Sequence, residues 1–215
     1  MKRAAMAAAL CATACNPTMA TKFPPGLEPV DAQNHASEPP AEGRDPFPER
    51  ISFAMGKARD WEWVHGKGFI KAPIAKVWQA LREPATCTDR RNVDAWTATF
   101  DVEPGYRVSF RVHHVVHSIF DVEFDNTWRQ DLASGTAEKP EVVAGAWQKT
   151  DGTSYIEVLA GSFVLRKLDE GTTSIEVMEH LSALGKGAES ARAFLQDMFD
   201  SALALAHDQP LPRLK

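Results

Sequence analysis

The sequence predicts an α+β domain in which a curved antiparallel sheet wraps around one long C-terminal helix, with a short helix pair after the first strand. Three observations predict it. Residues 96–181 hold a run of segments that alternate apolar and polar side chains. Turn pairs (Pro104-Gly105, Ser134-Gly135, Asp151-Gly152, Glu170-Gly171) punctuate that run. A helical stripe then closes the chain.

Taken in order, Trp61–Lys71 reads as a strand, with Gly66 and Gly68 marking a bend or bulge. Ala72-Pro73 ends it. Ile74, Val77, Trp78 and Leu81 recur at helical spacing, and Pro73 suits a helix start, where no backbone N–H is needed. Glu83-Pro84 breaks that helix, and a second short helix is expected over Ala85–Arg91. Strands are expected at Trp96–Val102, Arg107–His117, Phe120–Gln130, Val142–Gln148, Tyr155–Leu168 and Thr172–Leu181.

In the second of these, Val108, Phe110, Val112, His114 and Val116 share one face, opposite Arg107, Ser109, Arg111, His113 and His117. In the next, Phe120, Val122, Phe124, Asn126 and Trp128 oppose Asp121, Glu123, Asp125 and Arg129. Such alternation means one dry and one wet face. From Ala188 to His207, the residues Ala191, Phe194, Leu195, Met198, Ala202 and Leu205 form an apolar stripe, with Arg192, Gln196, Asp197 and Asp200 facing away. That stripe is expected to lie across the dry face of the sheet. No internal repeat is present, and one domain over 51–208 with a tail at 209–215 is the economical division.

The segment before the domain has a different character. Met1-Lys2-Arg3 and the small, apolar stretch Ala4–Ala14 have the layout of a secretory signal, too short to remain as a membrane span. Ala12-Thr13-Ala14-Cys15 resembles a bacterial lipoprotein box, with Ala12 in place of the usual Leu. Residues 1–14 are therefore read as a signal peptide, and Cys15 as a candidate for lipidation and membrane anchoring, against an Ala-rich start of a cytoplasmic protein. Residues 15–50 hold eight of the fourteen prolines and no apolar periodicity, and are expected to form a disordered tether. An exported or envelope location follows, lipid-anchored or periplasmic.

The composition is globular, with 44% hydrophobic and 25% charged residues, six Trp and eleven Phe. A net charge of −5 carries no basic footprint, which disfavours nucleic acid as a partner. Of three cysteines only Cys87 lies in the expected domain, so no disulfide framework is expected and Cys87 reads as a packed hydrophobe.

Two stretches resemble a known family. Gly68-Phe69-Ile70-Lys71-Ala72-Pro73-Ile74-Ala75-Lys76-Val77-Trp78-Gln79-Ala80-Leu81 is similar to the opening of the START-like superfamily, where a first strand runs into Ala-Pro and then Val-Trp. Gly161–Leu168, the turn Asp169–Thr173 and Ser174–Val177 resemble its last hairpin, with the long helix following. Polyketide cyclases and dehydrases, steroid-transfer domains and birch-pollen allergens are members. The resemblance implies a helix-grip fold with an elongated cavity between sheet and helix, and gives the motif residues a structural role at one cavity end. It does not fix a reaction.

If the dry face lines that cavity, His114, Asn126 and Glu179 are polar residues in an apolar wall, each set against the alternative of a strand-end position or a hydrogen bond to backbone. Glu179 and His114 are candidate acid/base groups. Val112, Phe124, Trp96, Trp128, Val177, Phe194 and Met198 complete the expected lining. His113 and His117 share a strand face but lie about 13 Å apart along it, too far for one ion, and no metal or other cofactor is expected. Nucleophile, phosphate-loop and dinucleotide signatures do not occur.

Three functions stay open: a carrier for a hydrophobic small molecule or lipid, a cyclase- or dehydrase-type enzyme using an acid/base pair, or a protein-interaction module with a filled cavity. Pocket volume separates the last from the others. Oligomeric state is not legible.

Overall fold

The computed structural model describes residues 21–117 and 121–214. The expected signal segment and Cys15 lie outside the described residues.

Eight strands form one antiparallel sheet: β1 (Ile51–Lys57), β2 (Glu62–Ile70), β3 (Ala95–Phe100), β4 (Val108–Val116), β5 (Val122–Gly135), β6 (Pro140–Gly152), β7 (Ile156–Lys167) and β8 (Thr173–Ala183). Their spatial order is β1-β2-β8-β7-β6-β5-β4-β3. Among the described residues two helices complete the fold, α1 (Ile74–Ala80) and α2 (Ala188–Ala206). The six strands expected after residue 95 all form, and β5 and β6 run longer than expected. β1 was not foreseen. Its sequence Ile-Ser-Phe-Ala-Met-Gly-Lys is only partly buried, so it carries a weak alternation.

α2 packs across the sheet against β1, β2 and β8, and against α1. Ala191, Phe194, Leu195, Met198, Phe199 and Ala202 are its buried stripe. The Glu62 carboxylate accepts from the Ala188 N–H at 2.6 Å, satisfying one of the donors left open at the α2 N-terminus. Asp197, expected on the wet face, is instead buried, and Arg91 Nη2 donates to its Oδ1 at 2.7 Å. That pair and Arg90, which donates to Ser201 Oγ at 2.9 Å, pin the 84–94 segment onto α2.

The second short helix expected at Ala85–Arg91 does not form. The Thr86 and Cys87 N–H groups bond three residues back, to Glu83 and Pro84 carbonyls. Thr88 Oγ1 takes the Pro84 carbonyl as well, at 2.8 Å, so turns replace the helical ladder. The Ala-Pro…Val-Trp stretch is structural. Thr173 Oγ1 donates to the Ala72 carbonyl at 2.8 Å. Trp78 Nε1 donates to Gln130 Oε1 at 2.9 Å, and Gln130 returns a bond to the Leu81 carbonyl at 2.7 Å.

Residues 21–50 are not the free tether their composition suggested. They lack helix and strand but lie on the face of the sheet opposite α2. Leu27 is fully buried and Ala36 nearly so. Val30 N–H donates to Ser162 Oγ at 3.0 Å, and Asn34 Nδ2 to the Gly66 carbonyl at 3.0 Å. Asp31 Oδ2 accepts from His65 Nε2 on β2 and lies as close to His180 Nε2 on β8, both at 2.7 Å. Burial works against the Asp31 charge, but the hydrogen bonds from His180 and His65 outweigh it and hold its carboxyl below the usual range. Proline stiffness and a few anchoring contacts order this segment where periodicity does not.

Among the described residues no helix is long and apolar enough to cross a membrane.

Candidate functional site

The inward row of side chains across the sheet is set by register: Phe110, Trp128, Trp147, Gly161, Glu179 and Val64 are successive cross-strand partners. Side chains in such a row share a face. Phe110 stacks on Trp128 and Trp128 on Trp147, with ring centroids 6.0 and 4.5 Å apart. Gly161 then leaves the gap that the Trp147 ring fills, which brings the indole toward Glu179 on the next strand.

Beside this row, between the sheet and the first turns of α2, lies a cavity of about 410 Å³. Its walls are mostly apolar, among them Val116, Phe124, Leu159, Leu181 and Phe194, and the pinned 84–94 segment closes one side with Cys87, Asp89 and Asn92. Lys186 Nζ donates to Asn92 Oδ1 at 2.6 Å across the rim.

The cavity brings together five of the ten expected pocket residues: His114, Phe124, Asn126, Glu179 and Phe194. The other five do not line it. Val112, Val177 and Met198 are fully buried in the core, Trp128 is sealed between Phe110 and Trp147, and Trp96 packs at the edge of the core on β3. Dry-face membership marks them correctly as inward, but only one end of the concave face stays open, and helix packing fills the rest. Trp147 was missed. Its position in the row opposite a glycine was the available signal.

Glu179 is 2% exposed and its Oε2 has no hydrogen-bond partner. Burial pushes its pKa well above 4.5, the nearby Asp89 charge adds to the rise, and the Trp147 indole offsets a little of it. The Trp147 Nε1–H itself finds no acceptor at bonding geometry. Burial therefore favours the protonated, neutral form of Glu179. His114 is also 2% exposed, stacked on Phe124 at 4.6 Å, with Nδ1 unpaired. Burial drops its pKa to about 4, so it is a neutral imidazole. Asn126 Oδ1 is unpaired as well. Cys87 is a buried free thiol whose pKa burial raises, which makes it a poor nucleophile.

His114 and Glu179 are not a contacting pair. β4 and β8 are separated by β5, β6 and β7. Four strand steps amount to about 19 Å along the sheet. The two groups border different ends of the cavity.

His113 and His117 sit on the wet face, beside Asp125 at 2.7 Å and Asp121 at 3.0 Å. One group among the described residues, Asp31, His65 and His180, places three possible metal-ligand atoms within 4.8 Å. His65 Nδ1 accepts from the His35 N–H at 3.0 Å, so its proton is on Nε2, which leaves no lone pair there for an ion. The hydrogen bonds to Asp31 account for this group.

No family model matches the chain, and no curated protein matches it. Solved structures do. Human StAR-related lipid transfer protein 5 aligns with a TM-score of 0.49 at 10% identity, covering 74% of this chain and 80% of its own. The lipid transfer and protein localization domain of human StarD13 gives 0.48 at 15%, covering 77% and 87%. The Zhui aromatase/cyclase from a Streptomyces species gives 0.44 at 14%, covering 68% and 91%. These are likenesses of fold and assign none of those activities to this chain. The eight-stranded antiparallel sheet closed by α2 is a helix-grip fold.

Proposed function

We propose that the domain binds a hydrophobic small molecule or lipid in the cavity between the sheet and α2. The observation that carries this reading is the cavity itself: about 410 Å³, apolar-walled, with a few buried polar groups, which is the composition of a small-molecule site. That volume disfavours the interaction-module alternative, in which the grip would be filled. The separation of His114 from Glu179 favours a carrier over an enzyme that would use both groups on one ligand atom.

Titration with the neutral dye Nile red tests the reading. Saturable fluorescence enhancement is expected in the full chain, lost in Ala191→Trp, where the new side chain on α2 fills the cavity. Enhancement of equal size in both proteins would place the dye elsewhere and overturn it.

Export and a lipid anchor at Cys15 rest on the sequence of residues 1–15. If Cys15 is the anchor, five residues separate it from the docked segment beginning at Thr21, a reach of about 20 Å. The domain would then sit close to the bilayer surface.

A further inference from the structure

Four residues that border the cavity carry buried polar atoms in a pattern with chemical content. His114 on β4, Asn126 on β5, Trp147 on β6 and Glu179 on β8 each carry one buried polar atom that no other protein group satisfies. Register places them along a diagonal. His114 pairs with Phe124, two residues from Asn126; Trp128, two residues beyond, pairs with Trp147; and Gly161 links Trp147 to Glu179. A buried polar atom without a partner costs about 1–3 kcal/mol. Four of the seven such atoms among the described residues belong to residues around this one cavity, which ties them to what the cavity receives.

The two ends differ in what they offer. An indole N–H can only donate. Glu179 stands beside it, and Asp89 lies on the same side of the cavity. Among the described residues no Lys or Arg is buried there: Lys186 is the one such residue of the lining, and its ammonium is engaged by Asn92. A carboxylate or phosphate head would therefore meet acids and no counter-charge. A ligand ammonium would satisfy Glu179 but leave the Trp147 N–H unpaired. A carbonyl oxygen, which only accepts, fits the unpaired indole N–H and the protonated form of Glu179 that burial favours. At the other end, Asn126 and the His114 imidazole can each both donate and accept, and a hydroxyl does the same.

We propose that the cavity selects an uncharged, largely apolar molecule with a carbonyl oxygen held at Trp147 and Glu179 and a hydroxyl held at Asn126 and His114. This rests on the binding role of the cavity proposed above.

A matched fluorescent series tests it at pH 7 on the full chain: 6-hydroxy-2-acetylnaphthalene, the same ring without the hydroxyl, the same ring without the acetyl group, 6-hydroxy-2-naphthoate, and 6-hydroxy-2-(aminomethyl)naphthalene. The hydroxy-ketone is expected to bind tightest, with each missing oxygen function weakening binding by about 3- to 10-fold. The carboxylate and the ammonium compounds are expected to bind at least about 10-fold more weakly. Trp147→Phe should erase the advantage of the acetyl group and leave that of the hydroxyl, and Asn126→Leu the reverse. Equal binding across the series, tighter binding of either charged compound, or no binding of any member overturns the selectivity. If Nile red still binds in a manner sensitive to Ala191→Trp, only the selectivity falls and the cavity reading stands. If it does not, the cavity reading falls on its own test.

Discussion

The indole of Trp147 lies over Gly161 so closely that a Cβ at that position would stand 2.1 Å from Cζ2 and 2.3 Å from Cε2. The two are register partners on β6 and β7, so the glycine is what lets the ring lie down toward Glu179 instead of standing into the cavity. Gly161→Ala must displace the ring. Overpacking of this kind costs about 1–3 kcal/mol, and the displaced ring should also narrow the cavity. Urea denaturation and Nile red affinity should fall together in this variant. Unchanged values for both would mean that the ring has another resting place.

Glu179 makes stability depend on pH in a defined direction. Its folded pKa lies above the ordinary 4.5, so the stability it contributes is fully present below about pH 4.5 and is lost as pH rises toward the folded value. Over that window the loss is about 1.4 kcal/mol per pH step. Glu179→Gln keeps the shape and cannot ionise. It should be more stable than the parent at pH 7–8 and equal to it near pH 4, while retaining most of the ligand affinity. A variant that loses stability at pH 8 would show that Glu179 is ionised and paired in the folded protein.

His114 acts at the other limb. Its folded pKa of about 4 lies below 6.5, so its contribution is present above pH 6.5 and is lost as pH falls toward 4. The difference corresponds to about 3 kcal/mol. His114→Gln should flatten the acid limb of a stability–pH curve between those values. A histidine chemical shift that titrates near 6.5 in the folded protein would contradict the burial argument.

Most of the fold was legible because alternation survives in β4 to β8 and helical periodicity in α2. β4 shows it clearly, with Phe110, Val112 and His114 buried against the wetter Arg111 and His113, whereas Gly161–Leu165 on β7 is buried on both faces because residues 21–50 cover the far side. Periodicity says nothing of segments held by other means. Residues 21–50 dock through Leu27 and the Asp31 contacts, and the 84–94 segment through Arg90 and Arg91 to α2. The polar residues of the site were visible as exceptions on a dry face. Their open surroundings were not, because a pattern of burial cannot tell a packed wall from a cavity wall. Val112 and His114, two residues apart on β4, fall on opposite sides of that distinction.

That distinction is itself testable at Val112. It is fully buried and does not border the cavity. Val112→Asp should therefore unfold the domain outright, by burying an unpaired charge, where a lining position would lose binding and keep the fold. Circular dichroism separates the two outcomes.

The docked N-terminal segment predicts a cost for its own anchors. Leu27→Ala removes a fully buried side chain and should destabilise the domain by about 2–5 kcal/mol. Limited proteolysis should spare residues 21–50 in the parent and cleave them in the variant. Rapid cleavage of the parent in this segment would return it to the status of a free tether.

Native mass spectrometry of the protein purified from its own cells tests the binding role most directly. A noncovalent 1:1 adduct is expected, its mass that of an uncharged apolar metabolite or lipid, and it should be absent from Ala191→Trp. A parent protein that flies only as the bare chain, and that also fails to take up Nile red, would contradict a ligand-binding role for this cavity.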